Sequence, residues 1–146
     1  MTATTDNTFT CQVRTVVRAL GNSQNAPVFR YLLTHTWGIG TAQSQRHSYH
    51  GQELLLVWHN FGALTGYTPS ESEIALADSV TGYWARFATY GDPNGFNDWP
   101  AALNWYDDVF LQLDESVSAG RGVRTANCDF WDAHPGLSIW RGSKQD

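Results

Sequence analysis

From Asp6 to Leu20 the apolar residues recur with the period of a helix. Phe9, Val13, Val16, Val17 and Leu20 fall on one face at 3.6 residues per turn. Thr5 or Asp6 is placed to cap the start, and Gly21 to end the helix in a left-handed conformation. Cys11 lies about 200° around the helix from Phe9, so it points away from the apolar stripe and meets something else. After a polar turn at 22–26, Pro27 opens Val28-Phe29-Arg30-Tyr31-Leu32-Leu33-Thr34-His35. This run is apolar on both faces apart from Arg30, the pattern of an inner strand in a parallel sheet. The polar loop from Gly38 to Tyr49 is long enough to point to function rather than connection.

Gln52 to Trp58 is a short apolar segment whose period admits a buried helix. Thr68-Pro69-Ser70-Glu71 has capping-box spacing, with proline at the first helical position. The helix it opens carries Ile74, Ala77, Val80, Trp84, Phe87 and Ala88 along one stripe, and Gly91-Asp92-Pro93-Asn94-Gly95 stops it. Asn97 to Asp108 reads as a Trp-rich loop, and Val109 to Leu113 with Val117 to Val123 as a late hairpin. Thr125 to Ala133 reads as a short helix holding Cys128, Phe130 and Trp131, followed by a loosely ordered tail over about 134–146. Helices and strands alternating around one central strand argue for an α/β fold.

A chain of 146 residues has room for one domain. With 42% apolar and 16% charged residues it is not a disordered, charge-rich segment. Its net charge of −5 argues against a nucleic-acid or anionic-membrane surface. No apolar run approaches the roughly 18 residues of a membrane span. Met1 to Thr10 lacks the basic start and apolar core of a targeting segment. The two cysteines allow one bridge, two buried thiols, or neither.

The loop after the Val28–His35 strand occupies the place where open α/β sheets gather their chemistry. His50 on that loop is the candidate general base, since an imidazole takes and returns a proton near neutral pH. A lone His-Gly is also a common surface dipeptide. His47 and His50 are three residues apart, but no third ligand of fitting spacing accompanies them, so neither a metal nor another cofactor is expected. A nucleophile elbow of Gly-x-Ser-x-Gly type is not found. Gly21-Asn22-Ser23-Gln24-Asn25 and Gly136-Leu137-Ser138-Ile139-Trp140 both lack the closing glycine, and no Gly-rich oxyanion loop occurs. The chain offers a base without a nucleophile.

Seven motifs follow one another along the chain: Thr8-Phe9-Thr10-Cys11, Pro27-Val28-Phe29-Arg30-Tyr31, His50-Gly51-Gln52-Glu53-Leu54, Tyr83-Trp84-Ala85-Arg86-Phe87-Ala88, Gly91-Asp92-Pro93-Asn94, Trp99-Pro100 and Asn127-Cys128-Asp129-Phe130-Trp131. In this order they resemble the C-terminal portion of type-B carboxylesterases, the carboxylesterase, cholinesterase and lipase group of α/β-hydrolases. Each is weak alone, and their ordered succession from about Thr5 to Asp132 is specific. His47 and the stretch Ala101 to Asp107 depart from the pattern.

The resemblance implies that residues 1–146 are the C-terminal part of a carboxylesterase domain, with an incomplete sheet, flanking helices and a late hairpin. It implies that His50 is the triad histidine, with Gly51 and Glu53 supporting it from behind, and that Cys11 and Cys128 are bridged. The nucleophilic serine, the acid and the oxyanion loop would lie outside this chain, leaving it inactive alone. Its partners would be a small carboxylic ester and either the missing N-terminal part or a second copy. A bridge would place the parent protein in a secreted or periplasmic setting. The alternatives are a non-catalytic binding module built on Trp99, Trp105 and Tyr106, or a truncated gene product.

Overall fold

The chain turns helical earlier than its apolar pattern predicts, and it buries mainly polar positions and Cys11. A computed structural model describes residues 3–38, 48–95, 99–102 and 107–137. An α-helical turn at Ala3–Thr5 and a π-helical stretch at Asp6–Thr10 lead into α1, Cys11–Ser23. Asp6, Asn7, Cys11, Arg14 and Val17 are buried. Phe9 is 51% and Val16 56% exposed, and Val13 and Leu20 also face outward. The predicted stripe is therefore correct as a period, but of its members only Val17 is buried. Gly21 lies within the helix, which ends at Ser23 with Gln24 in extended conformation.

The reason lies in what the polar face meets. Helix α4, Thr125–Ala133, packs against it. Cys11 and Cys128 form a disulfide. The Arg14 guanidinium, 2% exposed, donates to Asp129 Oδ1 at 2.9 Å and Asp132 Oδ2 at 2.7 Å. Arg124 carries a positive φ of 55° just before α4 and forks onto the buried Asp6 carboxylate. A buried charge is tolerable only when it is paired in this way. Two short strands, β1 (Val28–Phe29) and β3 (Ala101–Ala102), complete this first compact unit as an antiparallel pair.

The bridge closes a sequence separation of 117 residues. On chain-entropy grounds it contributes about 4–5 kcal/mol by constraining the unfolded state. We expect Cys11→Ser with Cys128→Ser to lower the unfolding free energy by about 2–5 kcal/mol. Denaturant melts of the oxidised wild type and the double variant measure the difference.

The single long strand predicted at Val28–His35 is instead two. Arg30 interrupts it, with its buried guanidinium directed at Asp108 Oδ1, 2.5 Å away. Beyond the break, β2 (Tyr31–Leu33) runs parallel to β4 (Val109–Leu113), with Tyr31 opposite Leu111 and Leu33 opposite Leu113. The Thr34 N–H donates to Leu113 O at 3.0 Å and extends the pairing by one step. The hairpin partner β5 is Ser118–Arg121, giving the strand order β2-β4-β5. Strand β2 is thus an edge strand among the described residues, with Tyr31 exposed rather than covered.

Two helices pack in the second unit. Helix α2 is Glu53–Val57, with Leu56 fully buried. Helix α3 is Glu71–Tyr90. Its cap is Ser70, not Thr68: the Glu73 N–H donates to Ser70 Oγ, and the Ser70 N–H donates to Glu73 Oε2 at 2.7 Å. Pro69 sits just ahead of the cap. The buried stripe is correspondingly rotated to Glu73, Leu76, Ala77, Val80 and Tyr83, leaving Ile74 and Phe87 exposed. Gly91 stops the helix where the sequence predicts, and does so in a left-handed conformation at φ 72°. His47, Trp105, Tyr106 and the tail beyond Leu137 lie outside the described residues.

Candidate functional site at the carboxyl end of β2

Strand β2 delivers the chain to the carboxyl end of a parallel pair, where polar side chains converge. Thr34 Oγ1 donates to Asp114 Oδ2 at 2.6 Å. His35 follows, 3% exposed, with Nε2 3.0 Å from Glu73 Oε1 and Nδ1 3.5 Å from Asp114 Oδ1. Its ring meets Trp37 edge-on at 4.7 Å between centroids. The Tyr67 hydroxyl also donates to Glu73 Oε1. His35 thus ties β2 to the start of α3 and to the end of β4.

The chain returns to this strand end at Ser48, whose hydroxyl donates to Leu33 O at 2.7 Å. A tight turn then carries His50. The Tyr49 N–H donates to Gln52 Oε1 at 3.1 Å, and the Gln52 N–H donates to Tyr49 O at 3.2 Å. Gln52, fully buried, reaches back with Nε2 to donate to His35 O at 2.8 Å. Gly51 adopts φ 87°, a conformation that favours glycine, and lets the turn run straight into α2. The His50 residue itself is exposed. Glu53 opens α2, half-buried, and its negative charge adds to burial in pushing the Tyr31 phenol above its ordinary range.

The sequence pattern points to the His50-Gly51-Glu53 motif and not to the cluster beneath it. His35 reads there as the end of an apolar run, and Glu73 as a helix residue. The signal was the capping box: a glutamate at the third helical position whose carboxylate is turned inward. In the folded chain burial works to raise the Glu73 carboxyl. The Tyr67 hydroxyl, the Ser70 N–H and His35 outweigh it and hold Glu73 below its ordinary range. Burial acts likewise on Asp114 and is outweighed by the Thr34 hydroxyl, the Glu115 N–H and His35. The Tyr67 phenol is pushed up to about 12 by burial and by its bond to Glu73.

Both carboxyls are thus depressed on folding, so the unfolded chain binds protons more readily at acid pH. Their contribution to stability is complete above the unfolded values, about 3.9 for Asp and 4.3 for Glu, and is lost as pH falls through the lower folded values. We expect the urea midpoint to fall steeply below about pH 4.3 and the fall to be shallower in Glu73→Gln/Asp114→Asn.

Among the described residues no group of three His, Cys, Asp or Glu side chains is placed to hold a metal ion. No described helix is long and apolar enough to cross a membrane. The disulfide takes up both cysteines, so neither supplies a thiol nucleophile. The arrangement presents an imidazole-bearing turn, fixed from below, at the carboxyl end of a parallel strand.

Comparison with known proteins bears on what that arrangement belongs to. The chain is 31% identical over 110 residues to human (Homo sapiens) cocaine esterase, a match that covers 73% of this chain and 19% of that protein. It is 34% identical over 86 residues to acylcarnitine hydrolase of Mus musculus, covering 56% of this chain and 15% of that protein. The chain therefore spans about a fifth or less of the length of these curated relatives. In fold it is similar to an esterase from Clostridium hathewayi that can hydrolyse aliphatic aromatic polyesters. The TM-score is 0.69 at 17% identity, over 83% of this chain and 24% of that one. It is similar too to a PNB esterase, with a TM-score of 0.62 at 19% identity over 71% of this chain and 21% of that one. The helices and partial mixed sheet accordingly have the α/β-hydrolase fold. A family model, that of the carboxylesterase family, matches residues 1–131. The chain belongs to the carboxylesterase family.

Proposed function

We propose that this chain is the C-terminal, histidine-bearing part of a serine carboxylester hydrolase, and that His50 is its proton carrier. The observation that carries the reading is the exposed His50 turn bound to the carboxyl end of parallel strand β2. In this reading His50 accepts the proton of a serine hydroxyl as that oxygen bonds to the ester carbonyl carbon. It then donates the proton to the departing alkoxide, leaving an acyl-enzyme. Water reverses the sequence: His50 takes its proton, the new oxygen attacks the acyl carbon, and the proton returns to the serine. The serine, the triad acid and the oxyanion donors come from the remainder of the domain. Gly51 shapes the turn, and Glu53 anchors it at the start of α2. The substrate is a small carboxylic ester, which fits relatives named as cocaine esterase and acylcarnitine hydrolase. The disulfide fits an oxidising compartment.

Exposed apolar groups in each unit support the same reading. Val13, Val16 and Leu20 face outward on α1, and β2 has a neighbour on one side only among the described residues. Such surfaces are covered by other protein in a finished domain. The rest of the hydrolase domain is the occupant proposed here. Without it, we expect the chain to self-associate in size-exclusion chromatography, and Val13→Asp/Val16→Asp to shift it toward monomer. A stable monomeric wild type would contradict this.

Co-expression with the N-terminal portion of a carboxylesterase-family protein tests the proposal. The pair should co-purify and turn over p-nitrophenyl esters, whereas this chain alone should not. Turnover by the chain alone would overturn the reading, since a nucleophile would then lie within it.

A further inference from the structure

We infer that Gln52 is the positioning residue for the His50 turn. A buried carboxamide is stable only when its oxygen and nitrogen both find partners. Gln52 is fully buried, and both of its polar ends are engaged within the site. Its Oε1 accepts from the Tyr49 N–H at 3.1 Å, immediately before His50. Its Nε2 donates to the His35 carbonyl at 2.8 Å, two residues past the end of β2. One side chain therefore sets both the shape of the turn and its register on the strand.

The anchor it grips is itself immobilised. The His35 ring lies between Glu73 and Asp114, and Glu73 is held by Tyr67 and by the Ser70 cap. A continuous run of bonds thus leads from the start of α3, through His35 and Gln52, to the backbone on the N-terminal side of His50. The Ser48 hydroxyl adds a tie to Leu33 O, but that tie ends two residues before His50 and leaves the turn itself unshaped. A shift of about 1 Å in a proton carrier is enough to cost roughly 100-fold in rate, so a side chain that fixes the turn governs turnover without touching substrate.

The functional half of this inference rests on reading His50 as the proton carrier; the structural half does not. Gln52→Met keeps the length and removes both polar ends. In the chain itself, we expect exchange of the Tyr49 amide to accelerate roughly tenfold or more, while the Thr34 amide in the β2–β4 pairing is unchanged. Gln52→Asn keeps both polar ends on a stem one methylene shorter, so it cannot reach both partners at once. It buries no charge, so it should fold if Gln52→Met does not, and it should loosen the turn less. In the enzyme assembled with its N-terminal portion, both variants should lower kcat, by roughly 10- to 100-fold for Gln52→Met, with KM unchanged. An unaltered Tyr49 exchange rate, or a rise in KM at constant kcat, would overturn the inference. Should the assembled enzyme show no activity at all, the hydrolase reading fails while the exchange measurement still decides the role of Gln52.

Discussion

Glu73→Ala is expected to lower the unfolding free energy by about 3–5 kcal/mol, the range for breaking a buried charged network by removing one partner. Three losses combine. The reciprocal cap at the start of α3 loses the acceptor for the Ser70 N–H. The Tyr67 hydroxyl loses its acceptor. The His35 ring, 3% exposed, loses the group 3.0 Å from Nε2 and is left facing Asp114 alone. A cap alone is worth about 1 kcal/mol, so the excess measures the network. Glu73→Gln keeps an acceptor oxygen and should cost less, about 1–2 kcal/mol. Urea melts at pH 7 read both values. A loss for Glu73→Ala no larger than that of a cap would mean that His35 and Tyr67 find other partners.

The same cluster marks what the sequence makes legible. Strand β4, helix α4, the glycine stop at Gly91 and the strand-end location of His50 follow from local pattern and from the ordered family motifs. The burial of α1 does not. Periodicity identifies a face but not what covers it, and here the polar face is satisfied by Cys128, Asp129, Asp132 and Arg124, all over a hundred residues away in sequence. The split of the long strand at Arg30 has a similar origin, since the residue that draws its guanidinium, Asp108, is distant in the chain. The cap falls at Ser70 rather than Thr68 because two overlapping Ser/Thr-x-x-Glu patterns fit the same segment, and only the inward carboxylate of Glu73 distinguishes them. His35 reads locally as the end of a strand because nothing nearby in sequence reveals that Glu73 and Asp114 meet it.

The second large effect concerns His50. In the assembled enzyme, the proposed role has His50→Ala reduce kcat/KM roughly 10⁴-fold or more, because on that reading the serine hydroxyl then has no base and the leaving alkoxide no acid. Stability of the chain should change little, since His50 is exposed. Glu53→Gln, which on the proposed reading alters an anchor rather than the proton carrier, should be milder. Equal losses for the two would assign the chemistry to the wrong side chain.

Imidazole rescue in His50→Gly tests the proton transfer itself. Assembled with the N-terminal portion of a carboxylesterase-family protein, the variant should be nearly inactive and, once the enzyme-free imidazole rate is subtracted, should regain turnover of p-nitrophenyl esters as imidazole is added, while the wild type shows no such gain. A His50→Gly enzyme that hydrolyses the ester at the wild-type rate without imidazole would contradict the account.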